Sequence, residues 1–421
     1  MIRKYYLLTA LCCWLTTAVS AQSVADYLNK NSADITQQVT ESTIVDADFF
    51  DHQIFFLGES HGIRKPQHVD FNFLKLLNQK AGVRTYVAEV DFAKAWYLNE
   101  YLDHGGETKL DTVFADWVRQ DAQWANKDFQ EKIRKIRTLN QTLPASKRIH
   151  FTGIDQIHNP VLVATYLDAL LAKKPLVRYR SQFNTLSRLL SETAPDSVIS
   201  KEAGRLMTFL QTNAFAKLAS EERQTLTYAL TNCVKIGDRR EGVIYENFKT
   251  CYAAQNWAKQ KVYGFWGFSH VLQAKANEGK SSSFVNRLLN DTTLALRGKV
   301  LSIGFLYVGC KTVLPTQFMP SAVQDKGKHF TIFDQMNFDG PMTTFSFIDD
   351  FKQATQPNTV TLFKLDGPTS PFLHQPVKIT YSNFMPANQR LYLNEPGKQM
   401  ADYFQYVILV RDSPAVTTIV P

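Results

Sequence analysis

The chain has 421 residues, 44% of them hydrophobic and 20% charged, and a formal net charge of +8. That balance excludes an intrinsically disordered chain, and no Lys/Arg run interleaved with aromatic residues marks a nucleic-acid groove. The length accommodates two domains or one α/β domain carrying an insertion.

In chain order, the first segment concerns destination. Arg3 and Lys4 precede an apolar stretch from Tyr5 to Thr17, followed by the small residues Val19-Ser20-Ala21. This pattern predicts a signal peptide over residues 1–21 and a periplasmic or secreted mature chain beginning at Gln22. The apolar stretch is shorter than the roughly 20 residues of a membrane span, so no stable membrane insertion is expected after cleavage. Losing Arg3 and Lys4 lowers the charge from +8 to +6. Cys233, Cys251 and Cys310 then remain, and an odd count leaves at least one free thiol. Their spacing matches no zinc knot or redox pair, so they are expected to be small buried side chains.

Residues 22–159 form the first part of a predicted α/β core. Gln53–Leu57, Thr85–Ala88 and Ile149–Ile154 are short apolar runs that each lead into a polar residue. That is the pattern of buried parallel strands whose carboxyl ends face a site. Helical spacing separates them at Lys65–Lys80, Phe92–Leu102 and Lys127–Leu139. Residues 160–259 change character to helical periodicity without strand signals, which predicts a large all-helical insertion. Residues 260–421 return to strands, at Val262–Phe268, Gly298–Val308, Thr343–Phe347, Thr359–Phe363 and Tyr403–Val410. The segments Val313–Asp339 and Asp366–Gln399, rich in Pro, Gly, Asn and Gln, are expected to be long loops. The fold class is therefore α/β: a mostly parallel central sheet flanked by helices, with a helical insertion.

The chemistry concentrates at the predicted strand ends. Gly58-Glu59-Ser60-His61-Gly62 follows the first strand. A carboxylate two residues from an imidazole can orient the ring and raise its basicity, as a general base near neutral pH requires. The bland alternative is a turn in which Ser60 caps a helix. Glu89 ends the second strand, where it needs a cationic partner such as Arg64 or Arg84, or a job. Asp155 ends the third and could hold a histidine, bind substrate or cap the helix near Pro160. Ser269-His270 ends the Val262–Phe268 strand, where His270 could stabilise charge on a substrate oxygen. His68, one helical turn beyond Arg64, is a candidate supporting residue, as is His158 near Asp155. Arg240 and Asn247, seven apart on a helix, could reach Glu89 or a substrate oxyanion. A P-loop, a His-Glu-x-x-His helix and a dinucleotide fingerprint are all missing. Water activated by His and Glu is then the simplest chemistry.

The order of these pieces resembles the erythromycin-esterase family, within a wider group that includes haem-uptake lipoproteins and TIKI-type proteases. The resemblance rests on Leu57–Gly62, Arg84–Glu89 with Phe92-Ala93, Gly153-Ile154-Asp155, Arg240 with Glu246-Asn247, Ser269-His270, and the ending Phe404–Asp412. It implies a metal-independent hydrolase of an ester, lactone or related carbonyl compound, acting on a small molecule without a cofactor. His61 would be the general base, Glu59 and Glu89 would position or polarise it, and His270 would assist. Asp155, Arg240, Arg64, His68, Asn247 and Ser269 would bind substrate or support the site. The alternatives are a metal-dependent hydrolase or protease of the same group, holding a divalent ion on Glu59, His61, Glu89 and His270, and a non-catalytic protein binding haem or another small ligand. Two departures stand out. The first motif is one residue shorter than the usual Gly-Glu-x-x-His-Gly, and Gly267 stands where the family commonly has an earlier histidine. Asp70 also falls near the place of an expected basic residue.

Overall fold

A computed structural model describes residues 23–212 and 218–420. The predicted signal peptide therefore lies outside the described residues. No helix among them is long and apolar enough to cross a membrane.

Strands β1 (Ser32–Asp34), β2 (Ile54–Glu59), β3 (Thr85–Ala88), β4 (His150–Gly153), β5 (Val262–Gly267) and β6 (Val300–Val308) enter one sheet. A hairpin of β7 (Thr312–Pro315) and β8 (Phe330–Phe333) follows. Next come β9 (Thr343–Phe345), β10 (Val360–Lys364), β11 (Ile379–Tyr381) and β12 (Tyr406–Arg411). The main sheet has eight strands in the order β1-β10-β12-β6-β2-β5-β3-β4. From β12 to β4 all neighbours are parallel, whereas β10 runs antiparallel to both β1 and β12.

Both sheet faces are buried, which is why the central strands read as continuous apolar runs. Side chains alternate across the sheet. On β2, Phe55 and Leu57 join one core with helices Lys65–Ala81 and Lys127–Thr142, while Ile54 and Phe56 join another with helix Arg240–Ala254. Burying each such side chain contributes about 1.5–3 kcal/mol. Asp91 caps helix Phe92–His104 by accepting from the Ala93 and Lys94 amides, and Asn126 caps Lys127–Thr142. Between β4 and β5, helices Pro160–Leu171, Arg180–Ser191, Asp196–Leu210 and Ser220–Val234 pack into the first core.

Three expectations need correction. The Thr343–Phe347 strand is shorter and pairs antiparallel with β11 outside the main sheet. The supposed loop Val313–Asp339 contains most of the β7–β8 hairpin, because Val313 and Phe330 find an apolar cluster with Ala415 and Val416. The other supposed loop contains β11 and short 3-10 turns. Cys233, Cys251 and Cys310 are buried and free, as small apolar side chains would be.

Candidate active site

The carboxyl ends of β2, β5, β3 and β4 lie side by side, and a crevice outside such ends is where open α/β sheets bind ligands. Glu59 closes β2 in register with Gly267, which closes β5. Glu89 follows β3 and Asp155 lies two residues beyond β4.

The turn after β2 is tightly held. Gly62 has φ +88°, a conformation that a side chain resists, and a Cβ there would meet Thr312 Oγ1 at 2.5 Å. The Gly62 carbonyl accepts from the amides of Val313 (3.3 Å) and Val416 (3.0 Å). Thr312 Oγ1 donates to the His61 carbonyl at 2.8 Å, and the Ser60 amide donates to Tyr307 Oη at 2.9 Å. These contacts aim His61 back along its own strand end. Its Nδ1 hydrogen-bonds Glu59 Oε1, and its ring packs on Trp124 with centroids 4.5 Å apart. Glu59 is buried, while the His61 side chain keeps 22% of its exposure. Burial alone would lower the His61 pKa, but the charge and hydrogen bond of Glu59 prevail and raise it. With Nδ1 committed, Nε2 is the nitrogen left for chemistry.

Gly267 shows where that nitrogen faces. A Cβ built on it would lie 3.4 Å from His61 Nε2 and 3.2 Å from His270 Cδ2. The two imidazoles thus flank a slot whose floor is bare backbone. The Gly267 amide donates to Glu89 Oε2 at 2.7 Å, tying β5 to the end of β3.

Arg240 opens helix Arg240–Ala254 and is the hub of the second half. Its Nε and Nη2 grip Asp155 at 2.9 and 2.6 Å, in the bidentate manner that suits a guanidinium. Nη2 also donates to Glu89 Oε1 at 2.7 Å, and Nη1 lies 3.3 Å from His270 Nε2. The partner of Glu89 is therefore Arg240, not Arg64 or Arg84. His270 Nε2 is 3.5 Å from Glu89 Oε1, and its Nδ1 pairs with Glu241 Oε1. Burial opposes the His270 proton, yet the Glu241 hydrogen bond and the Glu89 charge outweigh it and raise the pKa. Glu89 shows the reverse balance. Burial would raise its pKa, but the charges of His270, His61 and Arg240 lower it. Asp155 is held well below the usual carboxylate range against the same burial effect, by hydrogen bonds from His158 and Arg240.

The remaining candidates are elsewhere. Asn247 is turned into the protein, donating to the Ile154 carbonyl at 3.0 Å and to Asn232 Oδ1 at 2.7 Å. Arg64 bonds Asp128 and Thr417, and His68 bonds the Gln37 carbonyl, so neither reaches the slot. Ser269 is exposed on the turn before His270. Glu241, Trp124 and Lys132 also line or support the site, though no motif in the sequence marks them. Lys132 is buried and donates to Asp70 at 2.5 Å, and Asp70 also accepts from Tyr86 (2.7 Å) and Tyr263 (2.6 Å). Burial lowers the Lys132 pKa, with Asp70 opposing. Among the described residues, no group of three or more His, Cys, Asp or Glu is placed to hold a metal ion.

The model of the erythromycin esterase family matches residues 79–296, just over half of the chain. The chain belongs to the erythromycin esterase family. No curated protein matches it by sequence. Among solved structures, the erythromycin esterase fold is shared with a Bacillus cereus protein (TM-score 0.68, 16% identity), covering 94% of this chain and 98% of that one. A succinoglycan biosynthesis protein superimposes with TM-score 0.65 and 12% identity over 94% and 99% of the two chains. An erythromycin esterase, solved as a histidine-to-asparagine mutant in its open conformation, gives TM-score 0.55 and 12% identity over 86% and 91%. At such identities the likeness establishes the α/β fold of the family.

Proposed function

We propose that this family member is a hydrolase of an ester, lactone or related carbonyl compound, with His61 as general base. The observation that carries the proposal is the His61–Glu59 pair. Glu59 occupies Nδ1 and leaves Nε2 at the slot above Gly267. A water there gives its proton to Nε2 as its oxygen attacks the substrate carbonyl carbon. Positive charge on His270 and Arg240 faces the oxygen on which charge develops. The tetrahedral intermediate then collapses, the carbon–alkoxy bond breaks, and His61 returns the proton to the leaving alkoxide. The products are a carboxylic acid and an alcohol, with one water consumed.

The test is a panel of esters and lactones offered to the wild type and to His61→Ala. Turnover of at least one class is expected for the wild type, with a loss of about 10²–10⁴-fold in the variant at unchanged melting temperature. Equal turnover by both proteins would remove His61 from the mechanism.

A further inference from the structure

Two cavities share wall residues, and His61 lines the inner one. The inner one is small, about 30 Å³, and Glu59, His61, Gln67, Glu89, Trp124 and Lys132 contribute to its wall. The outer one, about 390 Å³, is a surface cavity between helices Lys65–Ala81 and Lys127–Thr142. Gln67 and Lys132 line both.

Unsatisfied polar atoms belong to residues of the inner wall. Glu59 Oε2 and Gln67 Oε1 are buried with no hydrogen-bond partner, on residues 3% and 7% exposed. Lys132 Nζ spends one N–H on Asp70, and the rings of Phe129 and Phe265 flank it with centroids 4.0 and 4.7 Å away. Two of its donors remain for another acceptor. A buried carboxylate oxygen left bare is costly. A water needs roughly 10–15 Å³ of accessible space and two to four polar partners. The inner cavity supplies the space, and Glu59, Lys132 and either end of the Gln67 amide supply the partners.

We propose that the inner cavity is the site of one internal water, held by Glu59 Oε2, Gln67 and Lys132 Nζ, and that this site, refilled from the surface cavity, supplies the water that His61 activates. The supply role rests on the hydrolytic reading above, whereas the water site itself does not. Each ester cleaved consumes one water, and a carbonyl substrate seated over the slot would block the front approach to Nε2. A rear source lets that one water reach Nε2 after the substrate has closed the front.

The experiment is a high-resolution crystal structure of the wild type and of Gln67→Leu, with Gln67→Met made in parallel should the leucine variant fold poorly. The expected wild-type density is an ordered water bonded to Glu59 and Lys132. It should be missing from the variant, whose Lys132–Asp70 pair and melting temperature stay unchanged. On a substrate found in the panel, the variant's kcat should fall several-fold while KM stays put. A dry wild-type cavity, or a Glu59 carboxylate bonded directly to Lys132, would overturn the site. Undiminished kcat in a variant lacking the water would overturn the supply role. If the panel yields no substrate, the hydrolytic reading fails with it, and the density alone decides the water site.

Discussion

Burial and Glu59 pull the His61 proton in opposite directions, and Glu59 prevails. The consequence for catalysis differs in sign from that for stability. A base must be neutral, so activity should be lost as pH falls through the His61 value, which lies above the ordinary 6.5. The ion pair stabilises the fold fully below 6.5, and that contribution disappears as pH rises through the raised folded value. Glu59→Gln should therefore move the acid limb of kcat/KM to lower pH while kcat drops by about 10²-fold. An acid limb that stays in place would show that Glu59 does not set the His61 proton affinity. Gly267 poses a separate question, since its φ of −58° suits any residue and only close contacts oppose a side chain. Gly267→Ala would put a methyl 3.4 Å from His61 Nε2. We expect turnover to fall about 10²-fold, the effect of misplacing reacting groups by about 1 Å, with an unshifted thermal melt. Full activity in that variant would mean that the slot is not where substrate binds.

At the scale of elements, helix Arg240–Ala254 makes two separate contacts just beyond one strand end. Arg240 takes the Asp155 carboxylate, and Asn247, about two turns on, takes the carbonyl of the preceding residue, Ile154. Asn247→Leu would leave that carbonyl and Asn232 Oδ1 buried without the amide. The expected cost is about 1–3 kcal/mol, read from the urea midpoint at constant m-value. An unchanged midpoint would show that the helix is anchored elsewhere. The short apolar runs made β2, β3 and β5 legible because strands buried on both faces favour apolar residues along their length. The polar residues ending those runs marked the site for the same reason. Asp70 and Lys132 were legible in principle, since each interrupts an apolar stripe, with Phe73, Leu74 and Leu77 after the one and Phe129, Ile133 and Ile136 around the other. Two opposite charges on inward helix faces imply each other. Glu241 had no such signal, because it stands beside Arg240 in an ordinary run of charged residues.

At the scale of the molecule, the sequence carried little about strand order. β5 inserts between β2 and β3, so Gly267 and His270 arrive beside Glu59 from some 200 residues away. Apolar runs announce that a strand is buried, not which neighbour it takes. The order of short motifs bridged that gap through the family resemblance, although superimposable structures share only 12–16% of their residues. Topology is conserved at this distance because parallel strands with helical crossovers admit few arrangements.

The three buried thiols turn this architecture into a recorder of its own motions. Burial pushes Cys233 and Cys251 up to about 12 and Cys310 up to about 11, so almost no reactive thiolate exists near neutrality. An alkylating reagent can act only when the chain around each one opens. Cys233 and Cys251 report from two different helices, and Cys310 from the turn after β6. Site-resolved mass spectrometry should find all three protected in the native state and labelled together once the chain unfolds. Early labelling of Cys233 alone would show that helix Ser220–Val234 opens separately from helix Arg240–Ala254.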